Sequence, residues 1–543
     1  MEPIESLAQH QTLVAGLRGP GAFPHPAGNQ ETIETHISTV VLAGEFAYKI
    51  KKPVNLGFVD FSSLALRHHF CQEEIRLNRR SAPDLYLDVA PITGTLQHPR
   101  VNASSDAPIL DYAVRMRRFP DEARLDRVAR RGRLRPDHID RLALAISELH
   151  AHCERAPLEH GYGAPEEIRC WAFENLAALG AATMREAIES LQAWTAHELQ
   201  LHAADLAERQ MDGHIRECHG DLHLGNLVLI GEAPLPFDCV EFNNRLRFID
   251  VISDIAFTFM DLVEHDLTPL AWRLIDVYLQ HTGDYRGLAV LRFYAVYRAL
   301  VRAKIAQIRL HQPDTPDAEQ HQDRAAAARY IEVAGRLATA GSPRLILTCG
   351  LAGSGKTTVA QVLLERLGAI RVRSDVERRR LFGVDPADHR PDAVASGLYR
   401  ADATRRTYER LAEVAGAILQ AGIPAIVDAT FLERAQREAL RDVAAQAAVP
   451  FSIVACEASL ATLRDRITRR LRQRSDPSDA TPQVLEHQVE TFEPLTAQER
   501  AFTIRIDTDI DQEGLERRAA QAAEALSAEA LSPAHEPAFG RKS

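Results

Sequence analysis

The chain has no C-x-x-C pair, although it carries seven cysteines. Cys71, Cys153, Cys170, Cys218, Cys239, Cys349 and Cys456 are scattered, and most sit among apolar neighbours. Reduced, buried thiols of a cytoplasmic protein are expected, and a cysteine-built zinc site is not. No run of about 18 or more apolar residues occurs, so no membrane span is expected. The opening Met1-Glu2-Pro3-Ile4-Glu5-Ser6 lacks the pattern of a signal peptide. Positive charge is not in excess: 64 Lys and Arg face 75 Asp and Glu, for a net charge of −11. That speaks against a broadly basic surface coating nucleic acid and leaves a local basic cleft open. Internal repeats are absent too. What remains is ordinary globular composition, 45% hydrophobic and 26% charged, over 543 residues, enough for two to four domains.

One stretch stands out, Gly350-Leu351-Ala352-Gly353-Ser354-Gly355-Lys356-Thr357. It follows the apolar run Leu345–Cys349 and opens a helical pattern with Val359, Val362, Leu363 and Leu367 on one face. Strand, glycine-rich turn, lysine, hydroxyl and helix make a P-loop. Gly350, Gly353, Ser354 and Gly355 let several backbone N–H groups point at one anion, and the helix start at Lys356-Thr357-Thr358 adds its partial positive charge. Lys356 is expected on the β- and γ-phosphates and the Thr357 hydroxyl on Mg²⁺. ATP and Mg²⁺ are therefore the expected cofactors.

The chain before this loop reads as mixed α and β. Residues 1–35 read as a short helix and loop. Two strands round a tight turn are expected over 36–51, a helix over Leu66–Arg80, and strands over 85–93 and 110–119. Helical patterns follow over 136–151, 165–179 and 184–211. A compact loop-and-strand region spans 217–242, and helices return over 251–263, 270–280 and 286–310. A polar, proline-bearing break at 311–317 and an alanine-rich helix over 318–340 mark the domain boundary. Short β runs at 345–349, 369–373, 424–428, 451–456 and 502–506 then alternate with helices, the rhythm of a parallel sheet flanked by helices. The expected borders are 1–35, a domain at 36–312, a linker helix at 313–343, a domain at 344–526 and a disordered tail at 527–543.

A second constellation lies in the first half. His219-Gly220-Asp221-Leu222-His223-Leu224-Gly225-Asn226 fits H-x-D-x-x-x-x-N, and a following β hairpin ends in Asp238. In kinase chemistry such an aspartate takes or orients the substrate hydroxyl proton, and the asparagine and second aspartate hold Mg²⁺. Asp221, Asn226 and Asp238 occur in that order. Such a site needs a strand lysine paired with a helix glutamate. Lys49 in Phe46-Ala47-Tyr48-Lys49 is the first choice, with Lys51 on the same face as the alternative. Glu74 is preferred over Glu73 as its partner.

These residues carry a resemblance. Residues of about 36–310 are similar to the aminoglycoside/choline/homoserine phosphotransferases, a protein-kinase-like fold whose H-G-D-x-H-x-x-N loop matches His219–Asn226. The Tyr48–Val54, Gly57–Phe61 and Phe237–Phe242 segments resemble a bacterial group in which this domain is fused to a P-loop kinase domain. The resemblance implies that Glu241 joins the metal shell and that Asp254 braces the catalytic loop. One departure is that Thr32–Thr39 lacks the glycine loop of protein kinases, so phosphate cover falls to backbone and hydroxyls near His36, Ser38 and Thr39.

In the second half, a strand leads to Asp375, with Arg378 one helical turn on. A carboxylate there can take the proton of an attacking hydroxyl while the arginine neutralises phosphate charge. Asp428 ends a strand and is expected to hold the Mg²⁺ water shell. Ala429 follows it, so no adjacent carboxylate activates water, and an AAA-type motor is not expected. The arginine-rich run 463–470 is expected to form a lid, with Arg466 and Arg470 favoured over Arg464, Arg469, Arg472 and Arg474. The half over about 344–510 resembles small P-loop kinases of the polynucleotide kinase, zeta-toxin and chloramphenicol phosphotransferase type. The expectation is two tandem kinase domains acting on small-molecule hydroxyls. A regulatory pseudo-kinase and a nucleic-acid end-repair kinase are the alternatives.

Overall fold

The computed structural model describes residues 4–57, 59–102, 108–179, 184–310, 316–339, 341–383, 401–473 and 481–531. They divide into two compact units. One runs to His265 and takes in Tyr297–Ile331, and the other holds Asp266–Val296 and the chain from Glu332 onward.

The first unit opens with a helix, Leu7–Leu17, capped by Ser6. Six strands follow: β1 Glu31–Glu34, β2 Ser38–Ala43, β3 Phe46–Lys51, β4 Tyr86–Gly94, β5 Pro99–Val101 and β6 Ile109–Arg117. They form one sheet in the order β1-β2-β3-β6-β4-β5, and each neighbouring pair is antiparallel. The helix Leu64–Asn78 packs on β6 and β4. The N-terminal stretch, expected as a separate piece, belongs to this sheet's core. Ile4, Leu13, Val14, Leu17 and Phe23 are buried with Val41, Tyr48 and Ile50. Arg67, fully buried, ties it down: its guanidinium donates to Asp111 (2.9 Å) and to the Ile4 carbonyl (2.9 Å).

A helical layer follows, with Pro136–His152, Pro165–Ala178, Arg185–Leu201 and Ala203–Met211. The single helix expected over 184–211 is broken at His202, whose backbone leaves the helical region. The short strands β7 Ile215–Glu217, β8 Leu227–Ile230, β9 Ala233–Pro236 and β10 Phe248–Asp250 frame the H-G-D loop. The helix Val251–Glu264 runs behind it.

In the second unit β11 Leu345–Cys349, β12 Ile370–Arg373, β13 Ala425–Asp428, β14 Phe451–Glu457 and β15 Thr503–Asp507 make a wholly parallel sheet, ordered β12-β13-β11-β14-β15. All of β11 is buried, which fits its apolar run broken only by Thr348. The expected border at 344 misses part of this unit. The helix Thr268–Thr282 buries Ala271, Leu274, Ile275 and Leu279 and packs on the P-loop helix Lys356–Leu367, with Trp272 against that core. At the other end the helix Gln512–Leu531 carries through Ser527, so the expected disordered tail is helical as far as Leu531. Residues 532–543 lie outside the described residues. No helix among the described residues is long and apolar enough to cross a membrane.

Candidate active sites

In the first unit, β3 places Lys49 and Lys51 two residues apart and so on one face. The helix Leu64–Asn78 sets Glu74 between them. Lys49 Nζ donates to Glu74 Oε1 at 2.9 Å, and Lys51 Nζ donates to Oε2 at 2.7 Å. Each lysine also pairs with a second acid, Lys49 with Asp238 and Lys51 with Glu241. Burial pushes the Glu74 carboxyl up, but the two ammonium groups more than offset this and bring it to about 2. Burial opposes the charge on Lys49, yet Asp238 and Glu74 hold its pKa well above the usual range. Glu73, the alternative partner, bonds Arg76 instead (3.0 and 2.8 Å). Glu241 is 3% exposed with its carboxylate on Lys51, so it braces the ladder; the metal-shell role implied for it by resemblance is not what this geometry offers.

Asp221 and Asn226 are brought together. Asn226 Nδ2 donates to the Asp221 carboxylate at 2.9 Å and to its carbonyl at 3.0 Å. His223 Nδ1 accepts the Gly225 N–H at 3.0 Å, which leaves the proton on Nε2, 3.4 Å from Asp221 Oδ2. Burial pushes the Asp221 carboxyl up, and His223 and Arg302 outweigh it, so the group sits well below the usual carboxylate range. Asp238 is tied to this loop through its neighbour: His219 Nε2 lies 2.9 Å from the Phe237 carbonyl, and the Phe237 N–H donates to the Asn226 carbonyl at 3.0 Å. Asp238 itself adopts a left-handed backbone (φ 64°), its N–H on the Tyr86 hydroxyl at 3.0 Å.

The loop is carried by a polar stripe on an otherwise apolar, buried helix, Val251–Glu264. Asp254 accepts the His219 and Gly220 N–H groups (3.0 and 2.9 Å), as the resemblance implied. Thr258 Oγ1 donates to the Leu222 carbonyl at 2.6 Å, and Asp261 accepts the Leu224 N–H at 2.8 Å. Sequence reasoning missed the last two. Their spacing from Asp254, four and then three residues, on a buried apolar helix was the available signal. Arg298 completes the support by donating to the Gly220 carbonyl at 3.1 Å. Ser38 and Thr39, expected to cover phosphates, are fully buried. Thr39 Oγ1 donates to Glu34 (3.0 Å) and lies 2.9 Å from His10 Nε2, so its hydroxyl is turned inward.

In the second unit, the loop between β11 and the helix Lys356–Leu367 curls through left-handed glycines at Gly353 and Gly355 (φ 81° and 80°). A Cβ on Gly350 would meet the Cys456 carbonyl at 2.4 Å, so the cradle tolerates no side chain there. Lys356 Nζ donates to the Leu351 carbonyl at 2.9 Å. Thr357 Oγ1 donates to Asp428 Oδ2 at 2.9 Å, and Thr348 Oγ1 donates to Oδ1 at 3.1 Å, which orients the carboxylate. Three further side chains grip the loop: Gln488 accepts the Ala352 N–H (2.8 Å), Arg466 donates to the Gly353 carbonyl (3.3 Å), and Thr508 donates to the Ser354 carbonyl (3.0 Å). Arg466 thus lies on the P-loop, whereas the side chain of Arg470 lies outside the described residues. Gln488 and Thr508 belong to no motif and were not foreseen.

Asp375 stands in the first turn of the helix Ser374–Leu381, just past β12, where a strand end was expected. Its carboxylate accepts from Arg373 (3.2 and 2.8 Å) and from the Val376 N–H (2.9 Å). Burial pushes it up, and Arg373 brings it below the usual value. Arg378, on the same helix as Asp375, donates from Nε to Thr407 Oγ1 at 3.4 Å.

Both sites fit a hard divalent cation. In the first, the Asp238 carboxylate, paired with Lys49, and the Asp221 carboxylate with its partner Asn226 offer hard oxygen donors. In the second, Thr357 and Asp428 offer a hydroxyl and a carboxylate at the mouth of the cradle. Thr358 follows in the same helix.

The profile of an AAA domain matches residues 345–495. Ala429 follows Asp428 there, buried and without a carboxylate. The uncharacterized protein Rv2004c of Mycobacterium tuberculosis (strain ATCC 25618 / H37Rv) is 29% identical over 459 residues, covering 83% of this chain and 89% of that protein. Among solved structures, a putative kinase from Chloroflexus aurantiacus is 24% identical over 33% of this chain and 98% of its own, with a TM-score of 0.26. A choline/ethanolamine kinase family protein from Mesorhizobium loti is 12% identical over 60% of this chain and 99% of its own, with a TM-score of 0.35. The chain holds an α+β unit built on an antiparallel sheet and an α/β unit built on a parallel sheet, and the P-loop of the latter lies within the matched AAA-domain segment.

Proposed function

We propose that this chain is an ATP- and Mg²⁺-dependent phosphotransferase with two sites, each passing a γ-phosphoryl group to a small-molecule hydroxyl. The observation that carries the reading is Lys49 held between Glu74 and Asp238 in the unit that also bonds Asp221 to Asn226. Those are the parts a phosphoryl-transfer site needs: a lysine for the phosphates, two oxygen donors for the metal and a carboxylate for the attacking alcohol. The Thr357–Asp428 pair beside the glycine cradle supports the same reading for the second unit. Bound Mg²⁺ would neutralise phosphate charge. Asp221 and Asp375 would each accept a hydrogen bond from an alcohol and aim its oxygen. Their depressed pKa values suit an orienting acceptor better than a strong base.

The test is transfer from labelled ATP to a panel of alcohols by the full chain and by Asp221→Asn and Asp375→Asn. Each variant is expected to lose at least ~10²-fold of one transfer activity and to keep the other. Full activity with every acceptor in both variants would remove the assigned roles. Loss of only one activity, with the other site binding nucleotide silently, would leave the regulatory alternative. The full chain is used because the second unit includes Asp266–Val296.

A further inference from the structure

The stretch Asp266–Val296 reaches the second unit's P-loop through one buried carboxylate. Asp276, on the helix Thr268–Thr282, is fully buried. It accepts the Arg371 backbone N–H at 2.8 Å, Arg371 Nη2 at 3.2 Å and Gln280 Nε2 at 2.5 Å. Arg371 lies in β12, at the edge of the sheet, and is 5% exposed. Its Nη1 donates to the Thr357 carbonyl at 3.3 Å, in the first turn of the P-loop helix. The contact is supported along its length. A Cβ on Gly368 would lie 2.7 Å from the Trp272 indole nitrogen, Arg273 donates to Glu365 at 2.8 Å, and Arg380 donates to the Gln280 carbonyl at 2.6 Å.

Arg371 therefore joins two things that no motif connects: a carboxylate from the stretch before the linker, and the residue whose hydroxyl bonds Asp428. We propose that Asp276 and Arg371 are positioning residues of the P-loop site. Asp276 fixes the guanidinium, and the guanidinium holds the first helical turn so that Thr357 and Asp428 face a metal together. The physical logic is that of partners lying behind metal ligands, which orient the ligand and which cost affinity when lost. The inference rests on the reading that the second unit binds a magnesium nucleotide.

The experiment measures ATP binding to the full chain with Mg²⁺ and with EDTA, taking Lys356→Met as the baseline in which the P-loop site is silent. If the unaltered chain binds no more ATP than Lys356→Met, the reading itself fails. If it binds, Asp276→Asn is expected to lose about tenfold of the affinity that Mg²⁺ adds, with binding in EDTA unchanged. A merely structural role would lower both in parallel, and that result would overturn the inference, as would an unchanged Mg²⁺ dependence. Asp276→Asn leaves a buried guanidinium unpaired and could fail to fold. The double variant Asp276→Asn/Arg371→Met removes both charges and is expected to fold with the same selective loss. Wild-type Mg²⁺ dependence in the double variant would equally overturn it.

Discussion

The two sites hold their lysines in opposite ways. Lys49 is clamped by side chains from distant parts of the chain, Glu74 and Asp238, and Lys51 repeats the clamp with Glu74 and Glu241. Lys356 turns back on its own loop, to the carbonyl of Leu351 five residues earlier. The first site holds its lysines with buried carboxylates, and the second shapes its loop with glycines and side chains that bond the loop backbone. In the first, the groups proposed to bind phosphate and metal are also charges paired across the unit. In the second, the fold rests on a buried parallel sheet and the lysine itself sits on a loop shaped by glycines.

The sharpest way to break that contrast is to remove one lysine from each. Lys51 is fully buried, and Lys51→Met strands Glu241 and half of Glu74. An uncompensated buried charge costs ~3–5 kcal/mol, so a large fall in the denaturation midpoint of the first unit is expected. Lys356→Met removes a half-buried group with a hydrogen bond to the Leu351 carbonyl and is expected to cost about 1 kcal/mol, well below Lys51→Met, while abolishing nucleotide binding at the P-loop. Denaturant unfolding of the full chain with and without ATP reads both. Equal destabilisation by the two changes would end the distinction.

Acid sharpens the same contrast at the loop brace. Burial pushes the Asp254 carboxyl up, but its hydrogen bond with His150 (3.1 Å) helps bring it to about 2, below the usual carboxylate range. A depressed carboxyl stabilises the fold above its unfolded pKa, and that contribution is lost as pH falls through the folded value. The stability gap between the wild-type chain and Asp254→Asn should therefore narrow by roughly 2 kcal/mol from about pH 5 to about pH 2. A gap that stays constant over that window would show that the charge on Asp254 contributes nothing to the brace.

The same division decides what could be read in advance. The P-loop is local: its strand, glycines, lysine and hydroxyl lie within Leu345–Thr357, and the parallel sheet follows from β runs alternating with helices. The order Lys49, Glu74, Asp221, Asn226, Asp238 was legible because motif residues keep their sequence order whatever the loops between them do. The brace of Thr258 and Asp261 was not, because a hydroxyl and a carboxylate within an apolar helix carry no motif until the loop they hold is folded against them. The place of Asp266–Val296 was hidden for a related reason. Helical periodicity marks an apolar face and says nothing about which core that face enters, so the segment was grouped with its sequence neighbours. The N-terminal stretch was misjudged likewise: polar punctuation around Gly19-Pro20-Gly21 masked Ile4, Leu13, Val14 and Leu17, which lie in the first core.

The smallest expected effect tests whether the brace serves only its own site. Thr258→Val keeps the side-chain shape and removes one donor, leaving the buried Leu222 carbonyl without the hydroxyl that lies 2.6 Å from it. The net loss in stability is expected to be about 1 kcal/mol. Leu222 adjoins Asp221, so a loosened carbonyl lets the carboxylate wander, and transfer at the first site should fall several-fold with little change in ATP binding. Transfer or nucleotide binding at the P-loop should not change, because that cradle is held by Gln488, Arg466 and Thr508. A matching fall at the P-loop site would mean that the helix Val251–Glu264 carries strain into the second unit, and the two sites would then have to be treated as one coupled system.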